Sequence, residues 1–472
     1  MNPSNALFLF AVGIAGLFYL DRDNSIRTSK ALWLPVIWLW IVGSRPVSSW
    51  LGLSPISGDT QLLDGSPLDR FVFLTLLIAA IIVLAHRRHQ TKVLLRASWP
   101  ILIYFSYCLL SVMWSDFSDI SFKRWTKALG DLVMVLIVVT DAQPRAALQR
   151  LLSRTGFILM PASLLLIRYF NGLGRTYDAF TGEPANIGVA IGKNTLGVTT
   201  LVLSLGAVWR VLALIHDSQQ PNRWRHLLAQ GTLLAFGVAL LATAHSATSA
   251  VCFLLGTAFM LATWLFVRGP RPGTVHALVL GALIAGGLVM FLGGEANLVH
   301  ALGRQTNLTG RVAIWQAVIP IAPNPIFGAG FESFWIGPRV QTLWREFPVL
   351  HPNEAHNGYI EVYLNLGWVG VVLIALILIN GYRRASAVFL RESPLGALMV
   401  AYIVVAAIYS ITEAGFRMLD VIWIFLLLAI AASDELVWDA DAQEEFLDPT
   451  ENESAIFPED ESSGVTMLQE EN

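Results

Sequence analysis

The sequence predicts an all-α fold, a polytopic membrane helix bundle of about 12–13 spans with one large extramembrane loop. Three observations carry that expectation. Of 472 residues, 55% are hydrophobic and 14% charged, whereas an ordinary soluble domain is roughly 25% charged. The mean hydropathy is +0.59. Apolar runs long enough to cross a bilayer also recur along the chain, among 25 Phe and 16 Trp. This composition excludes a soluble globular protein, a disordered scaffold and a nucleic-acid binder.

A hydrocarbon core of about 30 Å needs roughly 20 apolar residues per helix. Runs near that length fall at 4–20, 31–47, 71–86, 98–114, 128–140, 154–170, 188–216, 227–243, 248–267, 275–293, 358–381, 395–412 and 416–432. The first has no basic residue before it, unlike the positive n-region of a cleaved signal peptide. The chain therefore divides into an N-terminal bundle over 1–293, a large loop over 294–357, C-terminal spans over 358–432 and a tail over 433–472. The tail has 14 acidic residues and no Lys or Arg, the composition of a disordered extension. Cys108 and Cys252 each sit in an apolar run, so neither a disulfide framework nor a Cys-based metal site is expected.

Alternate connections collect the positive charge that sets orientation. They carry Arg22, Arg27 and Lys30; Arg87, Arg88, Lys92 and Arg96; Arg145, Arg150 and Arg154; Arg223 and Arg225; Arg268 and Arg271; Arg383, Arg384 and Arg391. Placing these in the cytoplasm puts the N-terminus outside, the tail inside and the 294–357 loop outside. Basic groups nonetheless stand on or near the outer face: Arg45, Lys123, Arg124, Lys127, Arg175, Lys193, Arg304, Arg311, Arg339, Arg345 and Arg417. Such groups oppose the orientation bias and cost desolvation near hydrocarbon. Singly, each fits snorkelling or a structural pair with Asp116, Asp119, Glu332, Glu346 or Glu354. As a group they suit a strongly anionic ligand at the outer membrane face, because guanidinium forks bind phosphate oxygens bidentately.

Local sequence ranks the candidates. Arg175 follows the turn Asn171-Gly172-Leu173-Gly174, and Arg311 opens a helical stretch after Thr309-Gly310, where exposed N–H groups favour phosphate. Lys193 lies in or beside a span, where an ammonium is expensive unless it faces a polar cavity. Gly192-Lys193-Asn194-Thr195 is similar to the end of a phosphate-binding P-loop, but Ile187 stands where the leading Gly is required. Asp131, inside a short span, is expected to pair with a basic neighbour.

The stretch from His351 to Gly370 is the richest in chemistry. Read as one helix, it puts His356 on a face with Tyr359, Ile360, Tyr363, Gly367 and Gly370. The glycines would let another helix approach, and His356 would stand at the pocket mouth with a proton affinity suited to transfer near neutrality. Asn357 and Glu361 are its supporting polar neighbours.

These residues also resemble a family. His356-Asn357, Gly367 and Gly370, preceded by Thr309-Gly310-Arg311, Trp315 and the Pro325–Gly330 segment, are similar to the motifs of the O-antigen ligase and polymerase superfamily. Ser111-Val112-Met113-Trp114-Ser115 with Arg124, and Gly192 to Gly197, extend the likeness over most of 105–375. The resemblance implies a multispanning enzyme of the bacterial inner membrane, active at the periplasmic face. It would polymerise undecaprenyl-diphosphate-linked repeat units into exopolysaccharide or O-antigen, without cofactor or obligatory metal. Partners would be the lipid-linked glycan, a glycan acceptor and the bilayer, with chain-length regulators or export proteins as further partners. His356 matches the family base, Arg311 and Arg175 its diphosphate ligands, and Lys193 is a third contact. Ala355 stands where many ligases carry Pro, and Gly358-Tyr359-Ile360-Glu361 looks more like exopolysaccharide polymerases. The alternatives are a ligase acting on lipid A-core or protein and, in another class, a transporter of lipid-linked oligosaccharide.

Overall fold

The computed structural model describes residues 2–23, 27–53, 66–177, 182, 184–217, 219–266, 272–292, 308–348 and 351–433. The acidic tail from 434 onward, with Arg268, Arg271 and Arg304, lies outside these described residues. The fold is helical throughout. In chain order the helices are α1 (Pro3–Leu20), α2 (Trp33–Val42), α3 (Pro67–His86), α4 (Arg88–Ala97), α5 (Trp99–Ser111), α6 (Ser118–Val139), α7 (Pro144–Tyr169), α8 (Lys193–His216) and α9 (Arg223–Ala244). They continue as α10 (Ala247–Phe266), α11 (Pro272–Leu292), α12 (Leu308–Val318), α13 (Pro338–Glu346), α14 (Gly358–Arg391), α15 (Ser393–Tyr409) and α16 (Val421–Ser433). A two-stranded antiparallel hairpin, β1 (Arg175–Tyr177) with β2 (Pro184–Asn186), interrupts them, Arg175 opposite Asn186. The sequence reading contains no strand there.

Every apolar run named above falls on a helix. Among the described residues seven helices are long and apolar enough to cross a bilayer, or eight if the pair bent by 89° at α4–α5 counts as one. The difference from about 13 has physical causes. The 128–140 run is only the C-terminal half of α6, whose N-terminal half carries Asp119, Lys123, Arg124 and Lys127. The stretches at Lys30–Val42, Pro394–Tyr409 and Val421–Ser433 are shorter than a bilayer crossing. α16 is wrapped by protein, with Ile422, Phe425 and Leu427 fully buried, and a helix that meets protein rather than lipid need not match the membrane thickness.

Starts of the helices follow capping chemistry. Ser66 and Asp69 form a reciprocal capping box on α3, satisfying N–H groups that have no intrahelical acceptor. At one end of the bundle the arginine-rich connections converge. Arg87 bridges Asp141, Arg150 bonds Thr28, Arg145 bridges Glu392 and His226 meets Asp21. The 311–357 segment, the hairpin and the 410–420 turn gather at the opposite end.

α14 is not one helix. Gly367 has φ 63° and ψ −165°, a conformation open essentially to glycine alone. The break admits the Pro325–Gly330 segment: Trp368 N–H donates to the Pro325 carbonyl at 2.9 Å, and Gly330 N–H to Asn365 at 2.9 Å. Gly367 therefore receives a loop backbone rather than a neighbouring helix, and the expected single face from 356 to 370 does not exist. A Cβ at 367 would lie 2.2 Å from the Ile326 carbonyl carbon. Gly367→Ala is expected to cost on the order of 3 kcal/mol or more, read as a lowered detergent melting temperature and reduced membrane abundance.

Candidate active site

His356 lies two residues before α14, at φ 48°. That left-handed conformation costs a non-glycine residue about 1–2 kcal/mol, so its neighbours must hold it. They do so on both sides. Ala355 donates its N–H to Glu361 Oε2 at 2.9 Å, and its carbonyl accepts from Trp315 Nε1 at 2.7 Å. Asn357 caps α14 by accepting from the N–H groups of Tyr359 and Ile360, while its Nδ2 donates to the Ile411 carbonyl at 2.8 Å. Gly358 N–H donates to Ser410 at 2.7 Å. The start of α14 is thereby tied to the turn after α15.

That turn supplies Glu413. Its Oε1 accepts from Arg311 Nη2 at 2.7 Å, and its Oε2 lies 3.1 Å from Asn194 Nδ2 and 3.5 Å from His356 Nδ1. A second carboxylate, Glu354, is 2.7 Å from the same imidazole nitrogen. Arg417 then joins Glu354, at 3.2 Å, to Glu332, at 3.1 Å. The result is an unbroken chain of alternating charge, Arg311–Glu413–His356–Glu354–Arg417–Glu332, almost wholly buried.

Electrostatics within the chain have clear signs. Burial disfavours an imidazolium at 356, but the adjoining Glu354 and Glu413 carboxylates outweigh it and raise the imidazole to about 10. Burial likewise opposes ionisation of Glu354, yet His356, Arg417 and Arg311 hold it down at about 2. Glu413 is also held below the ordinary carboxylate range despite burial, by Arg311 and His356. The two carboxylates on Nδ1 orient the ring, the logic of a carboxylate–histidine pair. Ligand atoms of Glu354, His356 and Glu413 lie within 4.8 Å of one another. Arg311 and Arg417 hold the carboxylate oxygens turned away from the imidazole, Glu413 Oε1 and Glu354 Oε2.

A cavity of about 290 Å³ opens beside the chain, lined by Lys193, Asn194, Glu354, Glu413, Arg417 and Asp420 among others. Lys193 is the first residue of α8, so its ammonium stands at a polar opening rather than in lipid. Arg311 Nη1 is buried with no hydrogen-bond partner among the described residues, leaving a donor for an anion. Glu413 thus joins Arg311 and His356 and also lines the cavity with Lys193, while Arg311 and His356 themselves are not among its lining residues. Arg175 is not among them: it is exposed on β1, and its neighbours Thr176 and Tyr177, not Arg175 itself, border the cavity.

Other expectations change. Glu361 supports His356 through the backbone: its oxygens accept from Trp335 Nε1 at 2.7 Å and from Ala355 N–H, so it positions the residue before His356. Tyr363 packs on Trp368, with ring centroids 5.5 Å apart, away from the charged chain. Gly370 gives room to Leu366 and Val362 of its own helix rather than to another. Among the described residues Asp131 pairs with no basic group: it accepts from Trp38 Nε1 and from Leu419 N–H, each at 2.8 Å. Several outward cations are structural. Arg45 donates to the Ala190, Leu173 and Gly188 carbonyls, Arg339 bridges Asp116, and Lys123 bridges Asp119.

Glu413 escaped sequence reading. It sits in Ile411-Thr412-Glu413-Ala414-Gly415 between two apolar runs, and an acid in that setting is the signal that could have found it.

This is a polytopic membrane protein with a buried His–carboxylate–Arg cluster at one end. Residues 231–375 match the family model described as O-antigen ligase. Over 288 residues the chain is 26% identical to the exopolysaccharide production protein ExoQ of Rhizobium meliloti, a match covering 58% of this chain and 62% of that protein. The likeness to the O-antigen ligase and polymerase superfamily, drawn above from motifs, holds in both comparisons.

Proposed function

We propose that the protein polymerises undecaprenyl-diphosphate-linked repeat units at the non-cytoplasmic face of the bacterial inner membrane. The observation that carries this reading is Glu413 joining Arg311 and His356 beside a cavity, at the end of the bundle opposite the arginine-rich connections. By the charge bias those connections are cytoplasmic, which puts the cavity outside and the tail inside.

In the reaction an acceptor hydroxyl attacks the donor's anomeric carbon as the bond from that carbon to the diphosphate oxygen breaks. The hydroxyl proton passes to His356 Nε2, and the electron pair of the broken bond leaves with the diphosphate. Attack from the face opposite the leaving group inverts the carbon. Arg311, through its unpaired Nη1, and Lys193 bind charge that grows on the phosphate, so they stabilise the transition state more than the bound donor. The cluster's place at one end, not at the midplane between repeats, disfavours the transporter.

Deletion of the gene is expected to leave single repeat units on the lipid carrier, detected by mass spectrometry of extracted lipid-linked glycans. Accumulation of complete carrier-linked chains instead would assign the chain to a ligase acting on lipid A-core or protein.

A further inference from the structure

At the end of the bundle where the arginine-rich connections converge, several cations are held within the protein. Arg87 donates to the Ile137 carbonyl and bridges Asp141, Arg145 bridges Glu392, and Arg225 donates to the Tyr19 carbonyl. Five others differ. Arg27, Lys30, Arg88, Lys92 and Arg96 are exposed, and their side chains have no hydrogen bond or ion pair among the described residues. One carboxylate draws them into a single patch. Asp141 Oδ2 accepts from the Ser29 N–H at 3.0 Å and lies 3.8 Å from Arg87, so the connection carrying Arg27 and Lys30 meets the start of α4. No Asp or Glu occurs between Asp69 and Asp116, so α4 has no acid of its own to offset the charge.

The build of α4 suits a membrane surface. Its ten residues are too few and too polar to cross a bilayer, and it is bent by 89° against α5. Arg88, Lys92 and Arg96 recur at every fourth residue and so share a face. Away from that face, Leu94 is buried and Leu95 packs against the core. The helix therefore lies on the end of the bundle by its apolar side and turns its cations outward, the division of an interfacial helix.

Its neighbours fix the height and the exposure to lipid. Trp33 and Trp99, each three residues after a cation of the patch, are 41% and 46% exposed. Indoles so placed gather at the boundary of head groups and hydrocarbon. α3 before α4 and α5 after it also turn Ile81, Ile82 and Ile103 outward, as helices bordering lipid do.

We propose that this patch binds the phosphate head groups of anionic phospholipid in the adjoining leaflet. Cations at a membrane surface attract such lipid, and guanidinium forks take its phosphate oxygens in pairs. The chain's own 434–472 segment, acidic and without Lys or Arg, is the other polyanion within the molecule. The flanking indoles and outward isoleucines favour lipid, because a water-soluble polyacid has no use for groups at the hydrocarbon boundary.

The full chain in detergent is titrated with phosphatidylglycerol and, separately, with phosphatidylcholine, and bound lipid is counted by native mass spectrometry. The wild type is expected to hold phosphatidylglycerol about tenfold or more the tighter. Arg88→Gln/Lys92→Gln/Arg96→Gln is expected to weaken that binding on the order of 10²-fold, about fivefold for each cation removed, with phosphatidylcholine unaffected. Arg88→Lys/Arg96→Lys keeps the charge and should retain the preference, which separates lost charge from a disturbed fold. The proposal is overturned if the wild type shows no preference, if the triple variant keeps it, or if glycerol phosphate at equal concentration displaces the lipid. It is overturned also if deleting 434–472 raises phosphatidylglycerol affinity in the wild type but not in the triple variant, which would make that acidic segment the occupant.

Discussion

Replacing His356 with Gly is expected to lower glycan transfer by about 10²- to 10⁴-fold, the usual contribution of a positioned acid or base. Glycine is the informative choice because residue 356 has φ 48°, which Gly adopts without strain. Gly adds no backbone strain, whereas loss of the imidazolium between Glu354 and Glu413 should lower the melting temperature, so transfer is compared at equal membrane abundance. The assay is polymer formed from purified lipid-linked repeat units. The pH dependence has a definite sign. With Glu354 and Glu413 raising the imidazole to about 10, the proton-accepting neutral ring grows scarcer about tenfold for each unit below that value. Transfer should therefore climb from pH 6 towards pH 9. Glu354→Gln removes one of the two carboxylates, lowers the midpoint towards the ordinary histidine value, and should flatten that climb. A flat profile in the wild type with an inactive His356→Gly variant would instead make the ring a proton donor to the departing phosphate. The same shifts bear on stability. The raised imidazole contributes most below pH 6.5 and loses its contribution as pH passes 10. The depressed Glu354 contributes above pH 4.5 and loses its contribution as pH falls through about 2. The outer cluster should thus hold together best between those limits.

What the sequence disclosed and what it hid follow from the range of the interactions. Apolar run length is a local property, so every expected run landed on a helix. The alternation of charge along the chain also has a spatial counterpart, because the loops bearing Arg87, Arg145 and Arg150 converge at one end. His356 and Arg311, named from residue type, spacing and motif, both meet Glu413, which lines a cavity with Lys193. What failed was anything that depends on a distant partner. Gly367 looked like a contact for another helix, whereas a loop from 325–330 lies against it. Glu361 stood out as a polar neighbour of His356, but its partners, Trp335 and the Ala355 N–H, are not legible from spacing. Glu413 is 57 residues from His356 and 102 from Arg311 in sequence, so no spacing rule links them. Arg45 and Asp131 show the same limit: each buries its charge against backbone or indole groups contributed by remote helices.

Arg311→Ala is expected to reduce transfer by about 10²- to 10³-fold, the cost of removing one donor aimed at developing charge. Arg311→Lys should recover only a part. An ammonium restores the positive charge but is one point of contact, while the guanidinium can hold Glu413 with Nη2 and still offer Nη1 to the phosphate. The two halves of that fork are separable by changing the carboxylate instead. Glu413→Gln keeps one acceptor oxygen, for Arg311, puts an NH2 where Oε2 accepts from Asn194, and removes the negative charge between Arg311 and His356. Donor binding should then tighten, because an anionic diphosphate no longer meets Glu413, while turnover should fall as Arg311 and His356 lose their common anchor. A lower KM with a lower kcat is the signature of that exchange. A rise in KM with kcat unchanged would mean that Arg311 serves ground-state binding alone, and its assignment to the departing phosphate would fail.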